Sequence, residues 1–192
     1  FVMSLPYSDA FFVMAFDREC TETFWEGHVR AFAFFGGVPG RITYDNSKVM
    51  VSKILENRDR KLTDGFLRLQ SHYLFAHHFC QVRRGNEKGV VEGTVKYARL
   101  NFLVPVPQVR DMQELNEYLE GCCRRDLGRR LRGKAETKEV LLEEDRKAFR
   151  PLPEVPFEAC RKESTFANSL SLVRFDQNDY SVPVRYAHHQ IT

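Results

Sequence analysis

The chain has 192 residues, of which 43% are hydrophobic and 29% charged, and its net charge is +3. This composition predicts an ordinary soluble globular protein with one substantial core or two small ones, and it excludes a disordered chain. No apolar run approaches the roughly 18–20 residues that cross a membrane, and the mildly basic charge permits a nucleic-acid partner without requiring one.

The cysteines and the chain ends carry further information. The five cysteines lack the paired spacing of a zinc site, and their odd number argues against a disulfide framework, so we expect reduced cysteines in a cytoplasmic protein. The opening run, Phe1–Leu5, has no basic leader and is too short for a signal peptide. Because the chain opens inside a strand-like run and Ile191 and Thr192 show no terminal cap, we expect a fragment of a longer protein.

The first half of the chain predicts a mixed sheet with helices on its faces. Two apolar runs, Phe1–Leu5 and Ala10–Phe16, flank a turn and indicate a β-hairpin. The following helix carries Thr23 and Glu26 as a capping box and ends at Gly36. Further along, the predicted elements are a strand over 39–44, a helix over 63–78, a weak strand over 80–83 and a helix over 87–102.

The second half predicts a helical extension followed by a small β module. Helices are expected over 111–132 and 137–149. Three prolines within 151–156 indicate an extended linker. Beyond the linker, two apolar runs on either side of Asp176–Asp179 indicate another hairpin. The order of elements therefore favours an α/β protein.

Two carboxylates occupy positions that suit a divalent-metal site. Asp45 closes an apolar strand within the string Tyr-Asp-Asn-Ser-Lys, and Glu92 lies on a helix within Lys-Gly-Val-Val-Glu-Gly. Mg²⁺ prefers oxygen ligands and keeps waters and substrate phosphates in its shell, so a few protein carboxylates suffice. Each acid also has an ordinary interpretation, because Asp-Asn-Ser is good turn chemistry and helical glutamates are commonly solvated.

The residues around Glu92 favour a functional site. Gly89 and Gly93 bracket it at a cost of about 1 kcal/mol each relative to alanine, which indicates close approach of a ligand or another backbone. Lys96 and Arg99 share its helical face, either as ion-pair partners or as phosphate contacts beside a metal. Including two lysines near the acids in sequence, the candidate DNA contacts are Lys48, Lys88, Lys96 and Arg99.

A basic cluster in the predicted helical extension has two interpretations. Its members are Arg124, Arg125, Arg129, Arg130, Arg132 and Lys134. The cluster is either a salt-sensitive DNA-backbone surface or the partner of a nearby acidic run within 139–145. The histidine pairs at 77–78 and 188–189 are expected to be structural or surface residues, because adjacent side chains point in different directions.

The wider sequence resembles a known family. The pattern Tyr-Asp-Asn followed by Lys-Gly-Val-Val-Glu resembles the DDE integrase and transposase superfamily, whose catalytic core is an RNase H-like fold. Stretches 1–16, 19–39, 84–93 and 169–184 are similar to the IstA-type transposase of bacterial insertion sequences. The resemblance spans nearly the whole chain.

That resemblance implies metal-dependent DNA cleavage and strand transfer during transposition. It implies three acids around two Mg²⁺ ions, for which Mn²⁺ substitutes. Matched by motif, Asp45 is the second acid and Glu92 the third. The family's first aspartate lies on a strand upstream of the opening hairpin, and neither Asp9 nor Asp17 matches it. We therefore expect this chain alone to be inactive.

The resemblance also implies domains and partners. The domains are a partial RNase H-like catalytic core at 1–108, a helical extension at 109–150, the linker at 151–156 and an incomplete C-terminal β module at 157–192. The partners are transposon-end and target DNA, further transposase copies and an AAA+ helper ATPase, in the bacterial cytoplasm and away from any membrane. The alternative is a non-enzymatic DNA-binding remnant of the same fold. A plain nuclease fits less well, because the C-terminal module also resembles the transposase.

Overall fold

The computed structural model describes residues 1–44, 51–54, 60–80 and 89–192. The chain forms two compact units, residues 1–159 and residues 160–192. Within the described ranges, no helix combines the length and apolar character needed to cross a membrane.

Strands and helices alternate through most of the first unit. In chain order they are β1 (Val2–Ser4), β2 (Phe11–Val13), α1 (Thr21–Phe35), β3 (Arg41–Tyr44), β4 (Val51–Ile54), β5 (Arg60–Leu62), α2 (Asp64–Tyr73), β6 (Ala76–Phe79), α3 (Gly89–Phe102), α4 (Met112–Leu127) and α5 (Lys138–Arg146). This mixture confirms the predicted α/β class.

The strands of the first unit form three described pairs. β1 and β2 are antiparallel with Met3 opposite Phe12, which confirms the predicted hairpin. β3 and β6 are parallel with Tyr44 opposite Phe79, and α2 lies in the connection between them, as a parallel pair requires. The antiparallel pair β4–β5 was not predicted, because its short, charge-rich strands lack a clear apolar alternation.

Helix α1 forms the centre of the core. Its apolar stripe includes the fully buried Phe32 and Phe35, as the sequence predicts. On one side the Phe34 ring lies 5.3 Å from that of Phe12 on β2. On another side the imidazole of His28 lies 5.6 Å from the Tyr44 ring on β3. The helix therefore contacts both the hairpin and the parallel pair.

Three predicted helices end earlier than expected, and one of them, predicted over 137–149, ends at Arg146. The helix predicted over 63–78 ends at Tyr73, because Leu74 adopts the left-handed conformation with φ of 57°. Residues 76–79 instead form β6, whose pairing with β3 is a tertiary contact that local sequence does not report. The helix predicted over 111–132 ends at Leu127, so residues 129–134 of the basic cluster lie beyond it.

The boundaries of α1 also correct a prediction. Cys20 is the N-cap, and its backbone N–H donates to Thr23 Oγ1 at 3.0 Å. Glu26 instead accepts from Arg30 Nε at 2.6 Å, so the predicted Thr23–Glu26 box is wrong. The predicted end at Gly36 is confirmed, where φ of 78° suits a residue without a Cβ. Of the weak strand predicted over 80–83, Cys80 lies outside any strand, and 81–83 fall outside the described residues.

The second unit consists of short strands. They are β7 (Thr165–Phe166), β8 (Leu172–Phe175), β9 (Asn178–Ser181) and β10 (Gln190–Ile191), with a 3₁₀ helix at Val184–Tyr186. β8 and β9 form the predicted hairpin around Asp176 and Gln177, which both have positive φ, as a tight two-residue turn requires. β7 pairs antiparallel with β10.

Candidate metal and DNA site

The two candidate acids follow strands that end at the same edge. Asp45 comes directly after Tyr44, the last residue of β3, and β6 ends beside it at Phe79. The chain then leads into α3, whose first turn carries Glu92. Carboxyl ends of parallel strands form a common edge, where α/β proteins bind ligands. Asp45 and Lys48 lie within 45–50 and Lys88 within 81–88, outside the described residues.

The residue before Asp45 is anchored by a buried histidine. His28 is fully buried on α1, and its Nε2 lies 2.9 Å from the Tyr44 hydroxyl. Its Nδ1 lies 2.8 Å from the Phe24 carbonyl oxygen. Because a carbonyl oxygen can only accept, Nδ1 carries the proton and Nε2 accepts from the Tyr44 hydroxyl. This hydrogen bond fixes the end of β3.

Burial keeps both members of that pair uncharged. Burial lowers the pKa of His28 to about 4, against the opposing effect of its hydrogen bond to the Phe24 carbonyl. Burial also raises the pKa of the Tyr44 hydroxyl well above its usual value. The imidazole is therefore neutral and the phenol protonated at neutral pH, as their hydrogen bond requires.

Glu92 lies on the exposed side of α3 together with Lys96 and Arg99. Within the described part of the chain, its carboxylate has neither a hydrogen bond nor an ion pair, so the Glu92–Lys96 pair does not form. A Cβ at Gly93 would meet no heavy atom within 4 Å. No contact in the described ranges therefore explains this glycine, and none of the described residues covers the surface beside it.

An ion cluster around the buried Asp126 holds the other side of α3. The Tyr97 hydroxyl on α3 donates to Asp126 Oδ1 at 2.9 Å, and Arg129 Nη1 donates to the same oxygen at 2.9 Å. Lys138 Nζ lies 2.7 Å from Asp126 Oδ2 and 2.7 Å from Asp9 Oδ2. We call these five residues the ion cluster; Asp126 and Lys138 at its centre are buried. It links α3, α4, α5 and the hairpin turn.

The cluster keeps Asp126 ionised despite its burial. Burial by itself raises the pKa of this carboxyl, but hydrogen bonds from Lys138 and Arg129 outweigh it and hold the pKa below its usual value. The sequence offered only the three-residue spacing of Asp126 and Arg129 as a signal. The burial of Lys138, on a different helix, could not be predicted from local pattern.

The structure also describes the basic cluster and one of the paired histidines that the sequence singled out. Arg124 pairs with Glu120 and Arg129 with Asp126, and within the described ranges no ion pair joins the basic cluster to the acidic run at 139–145. His77 lies on β6 with its ring 5.5 Å from that of Phe66. The described residues include no group of three or more His, Cys, Asp or Glu side chains suited to a metal ion.

Comparison with known proteins gives consistent matches. Residues 152–192 match the family model described as Mu transposase, C-terminal domain. The chain is 33% identical, over 98% of its residues, to a protein of Aminobacter aminovorans named Transposase, covering 37% of that protein. It is 32% identical, over 98% of its residues, to a Pseudomonas aeruginosa protein named Transposase for insertion sequences IS1326/IS1353, again covering 37% of it.

A further relative extends the same pattern. The chain is 33% identical, over 95% of its residues, to the Pseudomonas aeruginosa protein named Transposase for insertion sequence element IS21, and it covers 47% of that protein. The chain thus spans less than half the length of each of these relatives, while the similarity runs through nearly all of its own residues.

Proposed function

Because the chain belongs to the insertion-sequence transposase family of IS21 and IS1326/IS1353, we propose that it contributes two acids to a metal site for DNA cleavage and strand transfer. The observation that carries this proposal is the parallel pairing of β3 with β6. In that pairing β3 and β6 end side by side, at Tyr44 and Phe79. Asp45 follows Tyr44 directly, and after Phe79 the chain continues to α3, which carries Glu92.

The order of elements supports an RNase H-like core. A hairpin, a helix, a strand, a helix, a parallel strand and a further helix follow one another from β1 to α3, apart from the inserted pair β4–β5. Among the described strands, β1 pairs only with β2, and β3 only with β6. One more strand between β1 and β3 would join the two pairs into a single sheet. We propose that this strand lies upstream of Phe1 in a longer protein and carries the first acid.

The chemistry of the donor set suits Mg²⁺. Carboxylate oxygens are the ligands that this ion prefers, and the Glu92 carboxylate has no partner in the described part of the protein. Two such ions would supply an activated nucleophile and stabilise the leaving oxygen in an in-line displacement at a phosphodiester. Asp45 and Glu92 would bind the ions, with Mn²⁺ as a substitute.

The basic residues near the acids would position the DNA. Lys96 and Arg99 lie exposed on the face of Glu92 and would hold phosphates next to the reacting bond. Lys48 and Lys88, close in sequence to the two acids, would extend the same positive rim. The full-length transposase would act in the bacterial cytoplasm on paired DNA ends, as a multimer and with an AAA+ helper ATPase.

A second candidate function is DNA binding without cleavage. It rests on the fact that no aspartate of this chain matches the first acid of the family. Such a remnant would keep the fold and the basic surfaces but would not hold two metal ions.

Metal-dependent nicking of transposon-end DNA separates the two functions. We would compare this chain with a version extended upstream through one further strand, in Mg²⁺ and in Mn²⁺. The proposed function predicts nicking by the extended chain and none by the shorter one. Salt-sensitive DNA binding by both chains without nicking by either, in the presence of the helper ATPase, would favour the remnant instead.

A further inference from the structure

A cavity of about 240 Å³ lies between α3 and α4, on a different side of α3 from Glu92. Tyr97 and Asn101 line it from α3, and Tyr118, Arg125 and Arg129 line it from α4 and the residues after it. Tyr97 is five residues beyond Glu92, which places the two side chains roughly 140° apart around the helix. The cavity is therefore separate from the proposed metal site.

The acid at the base of the cavity is already neutralised by the protein. Asp126 is buried, with Lys138 on one carboxylate oxygen and Tyr97 and Arg129 on the other. Lys138 also contacts the Asp9 carboxylate. Among the residues that line the cavity, Arg125 and Arg129 are cations and Asp126 is a carboxylate, so a net positive charge is left for an incoming anion.

Arg125 is the group that supplies this charge. Its side chain is exposed, and Nη2 donates to Cys122 Sγ at 3.0 Å, which is a weak acceptor. No carboxylate in the described ranges lies within ion-pair distance of it. A guanidinium carries five donors in a planar fork that matches a phosphate. Most of the donors of Arg125 are therefore available to a ligand.

The neighbouring arginine shows the contrast. Arg124 donates to Glu120 through Nε at 3.0 Å and through Nη2 at 2.6 Å. Its guanidinium also lies 5.2 Å from the centre of the Phe34 ring. Two consecutive arginines of one helix thus differ: Arg124 is engaged within the protein, and Arg125 faces the cavity.

We propose that this cavity binds a phosphate of the DNA backbone through Arg125 and Arg129, an inference that rests on the proposed function for its choice of DNA as the anion. Arg129 lines the same cavity and its side chain is 54% exposed. Its Nη1 donates to Asp126 and Tyr97, and its guanidinium lies 5.0 Å from the centre of the Tyr97 ring, but within the described ranges Nε and Nη2 make no hydrogen bond. The exposed Arg130 and Arg132 continue the positive surface beyond α4. The cavity anchors the DNA away from the reacting bond.

The salt dependence of DNA binding tests this site. We would measure the affinity of the 192-residue chain for a random-sequence duplex by fluorescence anisotropy between 50 and 200 mM KCl. Each phosphate contact contributes about 0.9 to the slope of log affinity against log salt. Arg125→Gln is expected to lower the magnitude of that slope by about 0.9, the contribution of one phosphate contact. The variant should therefore bind DNA more weakly than the unmodified chain at 50 mM KCl, and the ratio of the two affinities should shrink about threefold by 200 mM KCl.

Arg124→Gln is the matched control, because it removes the same charge from the adjacent position. It is expected to leave the slope unchanged. Thermal unfolding should show that both variants fold, with at most a small loss of stability in Arg124→Gln, because that variant also loses the exposed pair with Glu120. An unchanged slope in Arg125→Gln, or an equal loss in Arg124→Gln, would overturn the phosphate site while leaving the proposed function standing. Failure of the unmodified chain to bind the duplex would also overturn the phosphate site, whereas nicking by the extended chain decides the proposed function separately.

Discussion

Replacing Asp126 by asparagine is expected to destabilise the first unit by about 3 kcal/mol. The side chains of Asp126 and Lys138 are each 4% exposed, and their charged atoms lie 2.7 Å apart. Removing one partner of a buried ion pair costs about 3–5 kcal/mol, because the other charge stays buried without compensation. In Asp126→Asn, Lys138 would still contact the Asp9 carboxylate at 2.7 Å and the Asp9 carbonyl oxygen at 3.1 Å. Because its charge stays partly compensated, we expect a cost at the lower end of that range.

A double-mutant cycle isolates the interaction itself. Lys138→Met should cost a similar amount, because Asp126 keeps only Arg129 and Tyr97. The double variant should cost less than the sum of the two, with a coupling energy of about 2 kcal/mol. Urea unfolding followed by Trp25 fluorescence measures each value, because Trp25 is the single tryptophan and is buried in the first unit.

The control is an exposed ion pair on the same helix. Glu120→Gln breaks the ion pair between Glu120, whose side chain is 42% exposed, and Arg124, whose side chain is 61% exposed. This variant should change the free energy of unfolding by less than about 1 kcal/mol. The assignment of Asp126 and Lys138 as a paired unit would be refuted if Asp126→Asn or Lys138→Met destabilised the protein less than Glu120→Gln does. It would also be refuted if the two costs simply added in the double variant.

The same ion pair predicts a pH dependence. Since the pKa of Asp126 is depressed, its contribution to stability should be present above pH 3.8 and lost as the pH falls below that value.

Three further predictions concern a buried histidine and two helical glycines. Because burial lowers the pKa of His28 from 6.5 to about 4, stability should fall by about 3 kcal/mol as the pH drops from 6.5 to 4. His28→Gln should lose that part of the pH dependence in urea unfolding, and an unaltered profile would contradict a buried neutral imidazole. Gly65→Ala should destabilise by about 1–3 kcal/mol, because its Cβ would overlap the Trp25 indole. Gly93→Ala should stabilise α3 by up to about 1 kcal/mol, because its Cβ would meet no heavy atom of the described residues within 4 Å. Thermal unfolding that shifted in the same direction for both glycine variants would contradict this packing.

Local sequence predicted the elements whose signals are local. The apolar runs around Pro6–Asp9 gave the first hairpin, and the stripe through Phe32 and Phe35 gave α1. The strand β6 was missed because Tyr73 and His77 continue a helical spacing, whereas its partner β3 lies more than thirty positions earlier in the chain.

The candidate site divides in the same way. Glu92, Lys96 and Arg99 could be placed on one helical face from their spacing alone, and α3 carries all three. The hydrogen bond of His28 to Tyr44 and the burial of Lys138 depend on contacts between distant elements, which no periodicity in the sequence reports. The positions of Asp45, Lys48 and Lys88 stay predictions, because these residues lie outside the described ranges.

The most direct test of the proposed metal site is DNA cleavage by Glu92→Gln in the upstream-extended chain. Glu92 is exposed and has no described partner, so folding and DNA affinity should be nearly unchanged. Loss of outer-shell partners of metal ligands costs 10–100-fold, so loss of a ligand should reduce Mg²⁺-dependent cleavage by more than about a hundredfold. The control variant Glu120→Gln, which changes a partly exposed acid on α4, should cleave normally. Normal cleavage by Glu92→Gln would contradict the assignment of Glu92 as a metal ligand.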